Sequence, residues 1–391
     1  MSDSIFLDNQ STTPTDPRVR ETMLRFLDLA TVGNPHSEHV AGRRMAAVVD
    51  AARVQVANLI GARAEEIVFT SGATEANNLA LQGVMRSAQR RGNHIVTCAI
   101  EHKCVLETVA YLRRSGCRVD LLSVSRDGVV DVDEVVNAIA GDTALVSIMT
   151  ANNEIGTLQP IAEIASACRA RGVPFHTDAA QAAGKIPLDV RATGVDLMSL
   201  SGHKLYAPIG IGALYVAEDS PVMPEPVIHG GGQERGLRSG TLAPYLCAAF
   251  GTASAIAAEE LASEGERAGK LRERFLEVLR NSFPQARVNC AGAPRLPGSL
   301  SVTFPGVDAD RVVGVVQPTI ALSTNAACSA GVLQPSHVLK ALGLPERDAE
   351  STVRISFGRF NTEAEIVRAA EQVGAVAMQI ARSESLDYAA A

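Results

Sequence analysis

The sequence lacks an excess of positive charge and any long apolar run, and each absence excludes a class of protein. Its formal net charge is -7 at pH 7, whereas a general nucleic-acid-binding surface needs a positive field that releases counterions. Residues 1–14 contain no apolar core of a secretory signal, and no apolar stretch is long enough to cross a bilayer. We therefore expect a cytoplasmic protein that binds neither nucleic acid nor membranes.

Closely spaced cysteines are also missing. The seven cysteines are scattered without a CxxC pair, which predicts neither a disulfide framework nor a metal site, and most should be reduced, buried thiols. Cys328 differs because residues 322–331 are small and polar. Such a segment favours a mobile loop with an exposed thiol suited to transfer, although a capping loop with an incidental buried cysteine fits the same residues.

The length and the strand pattern predict an α/β protein with two domains. At 391 residues, with 46% hydrophobic and 20% charged residues, the chain can form one large and one smaller core. From about residue 65, short β-branched runs alternate with helical patterns. Strands separated by helices imply right-handed crossovers and a mostly parallel sheet with helices on both faces.

The pattern changes after about residue 250. Residues 251–280 form one long amphipathic pattern, and beyond them short strand-like pieces mix with helical ones. This predicts a smaller α+β domain. We expect a large domain over residues 16–255 and a small domain over 1–15 and 256–391, which carries the Cys328 segment.

The stretch 70–75 (Thr-Ser-Gly-Ala-Thr-Glu) follows a predicted strand and opens a predicted helix. Its small residues let backbone N–H groups approach a phosphate, the helix N-terminus adds positive potential, and the Thr74 hydroxyl can donate a further hydrogen bond. A simple helix cap fits these residues as well.

Two further stretches follow strands of the same predicted sheet. Asp178 at a strand end can pair with a protonated pyridine nitrogen, or it can cap a helix. Lys204, after Ser201, Gly202 and His203, can form a Schiff base with an aldehyde, although a lone loop lysine is more often a solvated charge. Because ligands bind beyond the carboxyl ends of such strands, all three stretches can face one crevice. Together they predict a site for pyridoxal phosphate.

Nearly end to end, the chain resembles the cysteine desulfurases, in the fold-type I (aminotransferase class V) group of pyridoxal-phosphate enzymes. The matching segments are LDNQSTTP, GNPHSEH, EIVFTSGATEANNLAL, IEHKCVL, ANNEIGTLQPI, HTDAAQAAGKIPLD, SGHKLYAPIGIGALY, HGGGQERGLRSGT, ACSAGVLQPSHVLKALG and VRISFGRF. The resemblance implies a large domain with a mostly parallel seven-stranded sheet and a smaller α+β C-terminal domain. It also implies conversion of L-cysteine to L-alanine, with the sulfur carried as a persulfide.

The resemblance assigns roles around the cofactor. Lys204 would hold it as a Schiff base, Asp178 would pair with the ring nitrogen, and Gln181 would bond the ring hydroxyl. His102 would stack on the ring and relay protons. The remaining cofactor contacts would come from Ala73, Thr74, Ser201, Gly202 and His203.

Substrate and partner roles follow in the same way. Asn153 would contact the cofactor and the substrate, and the planar fork of Arg354 suits a substrate carboxylate. Thr241 would reach the phosphate of a neighbouring subunit, which implies a homodimer. Cys328 would receive the sulfur and pass it to an acceptor protein, an iron–sulfur scaffold or another thiolation protein.

Local departures from the family pattern surround Cys328. Asn325 and Ala326 stand where the family usually has Gly and Ser, and Ala330 stands where it has Ser or a similar residue. We expect these three departures to affect the reaction rate or the choice of sulfur acceptor more than the class of reaction.

Several alternatives share part of this pattern. A selenocysteine lyase or a class V aminotransferase would use the same cofactor residues without needing Cys328. A non-catalytic sulfur-relay or interaction protein would not need Lys204 and Asp178 together. Cys104, two residues after His102, competes with Cys328 as the nucleophile, whereas a papain-like hydrolase finds no local support.

Overall fold

The short apolar runs of the sequence form strands, and the longer segments between them form helices. A computed structural model describes residues 4–324, 327–329, 332–334 and 336–390, with the backbone alone for Leu29, 327–329, 332–334 and 384–390. The departures at Asn325, Ala326 and Ala330 lie outside the described residues.

The strands are listed here in chain order. They are β1 (Ile5–Phe6), β2 (Ile67–Thr70), β3 (His94–Cys98), β4 (Arg118–Leu122), β5 (Thr143–Ser147), β6 (Phe175–Asp178), β7 (Leu197–Ser201), β8 (Gly212–Val216), β9 (Arg287–Val288), β10 (Ser299–Thr303), β11 (Ile320–Ala321), β12 (Ser323–Thr324), β13 (Ala327–Ser329), β14 (Val332–Gln334) and β15 (Thr352–Ser356).

The helices follow the same convention. They are α1 (Pro17–Arg25), α2 (Val40–Leu59), α3 (Ala73–Arg86), α4 (Lys103–Arg114), α5 (Val132–Ala138), α6 (Ile161–Arg171), α7 (Val190–Thr193), α8 (Pro244–Ser282), α9 (Ala309–Val316), α10 (His337–Ala341), α11 (Glu346–Glu350) and α12 (Glu363–Ala390). Short 3-10 turns span Leu29–Thr31, Ala64–Glu66, Gly202–Lys204 and Glu234–Gly236.

The larger sheet confirms the predicted α/β architecture. Its seven strands have the spatial order β2-β8-β7-β6-β5-β3-β4. Strands β3 to β7 pair in parallel, and β8 runs antiparallel to β2 and β7. Every strand except the edge strand β4 is buried along its length. Burial on both faces explains why most of these strands are rich in apolar and β-branched residues.

Helix α8 joins this part of the molecule to the next. It has 39 residues, so it begins earlier than the 251–280 pattern predicts. Pro244 occupies its first turn, where the missing N–H costs no helical hydrogen bond. The helix packs against α1, α2 and α12.

A second, smaller sheet has the order β12-β15-β10-β9, with antiparallel pairing throughout. The apolar core around it takes Ile5 and Leu7 from the N-terminal end and residues between Leu271 and Ile380 from the rest of the chain. The N-terminal segment is thereby fixed beside the C-terminal strands. The domain boundaries at residues 15/16 and 255/256 remain a prediction.

Among the described residues, no helix combines the length and the apolar character that a membrane crossing requires.

Candidate active site

A pocket of about 480 Å³ opens beyond the carboxyl ends of β6 and β7, the position where open α/β sheets bind ligands. One side comes from the turns that follow sheet strands, and the other comes from the N-terminal segment and β15. The lining residues predicted from the sequence are Ala73, Thr74, His102, Asn153, Asp178, Gln181, Ser201, His203, Lys204 and Arg354.

Lys204 ends the 3-10 turn that follows β7. Its Nζ atom donates to the carbonyl oxygens of Gln10, at 2.6 Å, and Ser11, at 2.5 Å. Burial and the nearby positive charge of Arg354 lower the pKa of Lys204 to about 8. A useful fraction of this amine is therefore neutral near neutral pH, which is the form that attacks an aldehyde.

Asp178 is the last residue of β6 and is 4% exposed. Its Oδ2 atom accepts from Asn77 Nδ2 at 2.7 Å, and its Oδ1 atom accepts from the backbone N–H of Ala180 at 2.9 Å. These two donors fix the carboxylate at the strand end. Asn77 was not predicted, although a fully buried asparagine among the apolar residues of α3 is a signal that could have identified it.

His102 caps the N-terminus of α4. Its Nδ1 atom accepts from the backbone N–H of Cys104 at 3.1 Å, which assigns the proton of the neutral ring to Nε2. Burial lowers the pKa of His102, so the neutral ring is favoured. A neutral imidazole can exchange protons with a ligand in the pocket.

Cys104 lies in the same pocket, with its Sγ atom 3.0 Å from His102 Nδ1 and 3.1 Å from Asn77 Nδ2. Burial, with a further contribution from the charge of Asp178, raises the pKa of this thiol to about 12. Because the thiolate is the nucleophilic form, the environment of Cys104 argues against its serving as the sulfur acceptor.

The predicted phosphate cradle lies at the start of α3, where Gly72 precedes Ala73 and Thr74. Glu75 points its carboxylate to Arg238, at 2.7 Å, so its charge is compensated beside the helix N-terminus. His203, across the pocket, has its Nδ1 atom 3.1 Å from Thr12 Oγ1. Burial and then the charge of Lys204 lower the pKa of His203 to about 4, which makes it a neutral hydrogen-bonding group.

Gln181 is buried, and both ends of its amide have partners. Its Nε2 atom donates to the Gln10 carbonyl at 2.9 Å, and its Oε1 atom accepts from Lys185 Nζ at 3.3 Å. Lys185 therefore fixes the orientation of the amide, with the NH₂ group toward Gln10. Sequence reasoning missed both Gln10 and Lys185.

Arg354, on β15, completes the opposite side. Its Nη2 atom lies 2.8 Å from Asp8 Oδ1, and its Nη1 atom donates to the backbone oxygen of Asn153 at 3.1 Å. Arg354, which lines the pocket, thus connects Asn153 with Asp8. Asp8 is another residue that the sequence analysis did not single out.

Three predicted residues stand apart from this cluster. Gly202 is buried and packs closely, since a Cβ atom built on it would lie 2.8 Å from Ile211 Cγ2. Thr241 is exposed and is not among the described residues that line the pocket. The side chain of Cys328 lies outside the described part of the chain, which includes only the β13 backbone at that position.

Comparison with known proteins agrees with the fold and the pocket. The model of the aminotransferase class-V family matches residues 5–368. The cysteine desulfurase IscS of Rickettsia akari (strain Hartford) is 45% identical over 363 residues, which cover 93% of this chain and 88% of that protein.

Solved structures give the same result. A NifS-like protein superposes with a TM-score of 0.88 at 36% identity, covering 96% of this chain and 100% of that chain. The structure described as SspA in complex with cysteine has a TM-score of 0.81 at 36% identity, covering 92% of this chain and 100% of that one. The chain therefore belongs to the aminotransferase class-V family and, within it, to the cysteine desulfurases.

Proposed function

We propose that the protein is a pyridoxal-phosphate-dependent cysteine desulfurase that converts L-cysteine to L-alanine and transfers the sulfur to Cys328 as a persulfide. The observation that carries this proposal is the meeting of Lys204, Asp178 and Arg354 in one pocket. An amine of lowered pKa, a fixed carboxylate and a guanidinium are the groups that an aldehyde cofactor and an amino-acid substrate require.

The residues present fit the cofactor. Lys204 supplies the amine for its aldehyde, and Asp178 supplies a buried carboxylate for its ring nitrogen. The N-terminus of α3, together with Thr74 and Ser201, supplies donors for its phosphate. When bound, the cofactor serves as an electron sink that stabilises negative charge at the substrate Cα.

The side chains of this protein then divide the remaining work. Arg354 binds the substrate carboxylate through its planar N–H groups. Lys204, in its neutral form, accepts the proton from the substrate Cα at Nζ, and His102 exchanges protons nearby through Nε2. Burial lowers the pKa of each group, which favours the neutral form that these steps need.

Sulfur transfer requires a thiolate at Cys328. The thiolate attacks the substrate sulfur, a sulfur–sulfur bond forms, and the bond between the substrate Cβ and sulfur breaks. Its electron pair remains on carbon, which takes a proton to become the methyl group of alanine. The persulfide then passes to a thiol of an acceptor protein, in iron–sulfur cluster assembly or another thiolation system.

We further propose a homodimer with composite sites. Thr241, which is exposed in the single chain, would reach the phosphate in the pocket of the second subunit. Light scattering of the wild type should give the mass of a dimer. The Thr241→Ala variant should retain less cofactor than the wild type. A monomer with full cofactor retention would overturn this proposal.

The first experiment tests the cofactor. The purified protein should be yellow, with absorption around 400 nm as such linkages give, and borohydride should fix the cofactor on Lys204. Peptide mapping identifies the labelled lysine, and a label on another lysine would contradict the assignment.

The second experiment tests the sulfur acceptor with two matched thiol variants. Cys328→Ala should lose persulfide formation from L-cysteine, whereas Cys104→Ala should retain it. Mass spectrometry after trapping locates the persulfide. Undiminished sulfur release by Cys328→Ala would instead favour a selenocysteine lyase type of reaction, and a label on Cys104 alone would exclude transfer through Cys328.

A further inference from the structure

Asp8 connects β15, which contributes Arg354 to the pocket, with the neighbouring strand β12. Its Oδ1 atom lies 2.8 Å from Arg354 Nη2 on β15, and its Oδ2 atom accepts from Ser323 Oγ on β12 at 2.7 Å. Strands β12 and β15 pair so that Ser323 lies opposite Arg354. One carboxylate therefore holds two neighbouring side chains of the small sheet.

The contacts of Arg354 show what this connection does. One hydrogen bond leaves Nη2 toward Asp8, and another leaves Nη1 toward the Asn153 carbonyl. Two fixed points on different nitrogens define the plane of a guanidinium. Each of these nitrogens carries two N–H groups, so one on Nη1 and one on Nη2 remain for a ligand.

The pair is largely removed from solvent. The Arg354 and Asp8 side chains are only 12% and 15% exposed, so their attraction is screened less than that of a surface pair. The pair of Asp8 and Arg354 also affects the pKa of Lys204. The positive charge of Arg354 lowers the pKa of Lys204, and the negative charge of Asp8 raises it. Asp8 therefore offsets part of the repulsion between Arg354 and the protonated lysine.

The backbone fixes Asp8 itself. Asp8 forms a bridge with Ser356 on β15, and its carbonyl accepts from Ser11, whose own carbonyl accepts from Lys204 Nζ. The backbone of Asp8 is thus fixed on β15 and linked, through Ser11, to the amine of Lys204.

We infer that Asp8 is a positioning residue that orients the guanidinium of Arg354 for an α-carboxylate, and thereby sets the preference for amino acids over simple amines. This inference rests on the proposed function insofar as the ligand of Arg354 is an amino acid. Asp8 is not among the described residues that line the pocket. It acts through the arginine.

The test compares two ligands that differ in the carboxylate. The holoenzyme is titrated with L-alanine and with ethylamine, and binding is followed by the change in cofactor absorbance, which needs no sulfur transfer. We expect Asp8→Asn to weaken L-alanine binding about tenfold, as loss of a charged hydrogen bond does, with ethylamine binding changed less than about twofold. KM for L-cysteine should rise more than kcat falls.

The chain offers a matched control. Asp16 forms a similar buried pair with Arg359, at 2.8 Å, but neither residue is among the described residues lining the pocket. Asp16→Asn should lower thermal stability and leave the ratio of L-alanine to ethylamine affinity unchanged. In an Arg354→Gln background, Asp8→Asn should have no further effect on that ratio.

Two outcomes would overturn the inference: an unchanged ratio of L-alanine to ethylamine affinity, whether or not both affinities fall, or tighter L-alanine binding in Asp8→Asn. Should Asp8→Asn not fold, Asp8→Glu carries the same comparison, with a smaller expected change in the ratio. Failure of the wild type to desulfurate L-cysteine would contradict the proposed function instead, and the ligand ratio would still test Asp8.

Discussion

The two sides of the pocket are built in different ways. On the sheet side, Asp178 ends β6, Lys204 follows the adjacent strand β7, and His102 follows β3 of the same sheet. On the terminal side, Asp8 and Arg354 come from opposite ends of the chain, 346 residues apart. The sheet side carries the cofactor chemistry, and the terminal side carries recognition of the substrate carboxylate. A change on the first side should stop the reaction, whereas a change on the second should alter which ligand binds.

The largest effect is expected on the sheet side. Lys204→Ala should remove covalent attachment of the cofactor and lower kcat by at least about a thousandfold, within the range for loss of a positioned proton-transfer group. Activity and the absorbance near 400 nm are measured together. Lys270→Ala, at an exposed lysine of α8 paired with Glu266, is the control and should match the wild type. Retained turnover in Lys204→Ala would contradict the roles assigned to Lys204 in cofactor attachment and proton transfer.

Asn77→Leu tests the hydrogen bond from Asn77 that fixes Asp178 on the sheet side. Removing the donor at 2.7 Å leaves Asp178 Oδ2 without that partner, at a cost of about 1–3 kcal/mol for a buried group. We expect cofactor affinity to fall about tenfold or more, measured by fluorescence titration of the apoprotein. Asn78→Leu, one residue later with its amide on the Thr74 carbonyl, should change affinity less than about threefold. Equal losses in both variants would point to damage to α3 rather than to Asp178.

The same difference explains what the sequence could predict. Lys204 and Asp178 were accessible because the period of strands and helices fixes where strands end, and parallel strand ends share one edge. The same alternation predicted the mostly parallel sheet. Asp8, Gln10 and Asn77 were missed because their roles depend on packing between distant segments, which no local pattern encodes.

The lowered pKa of Lys204 predicts that the rate of cofactor attachment depends on pH, and Arg354 on the terminal side contributes to this dependence. Its pKa is lowered to about 8 by burial and by Arg354, so the neutral, reactive amine increases as pH rises toward 8. The rate of cofactor attachment to the apoprotein should therefore rise about tenfold from pH 6 to 7 and level off above about pH 9. Stopped-flow absorbance measures this rate.

Arg354→Gln sharpens the pH experiment. Removing the positive charge relieves its repulsion of the protonated amine, so the pKa of Lys204 should rise and the rate profile should move to higher pH. The same profile in wild type and variant would show that the terminal side does not influence the lysine.

The smallest effect is expected from Ser323→Ala, which removes the hydrogen bond to Asp8 Oδ2 while leaving the pair between Asp8 and Arg354. Asp8 keeps its main partner, Arg354, in this variant. Loss of the single hydrogen bond from Ser323 should therefore raise KM for L-cysteine by only about two- to fivefold, at the lower end of the contributions of hydrogen bonds to charged groups. Steady-state kinetics measures KM and kcat separately, and kcat should change less than KM. A KM as high as that of Asp8→Asn would mean that β12, rather than the ion pair, fixes the terminal side. Since Ser323 and Arg354 lie opposite each other on paired strands, this variant separates the strand contact from the charge.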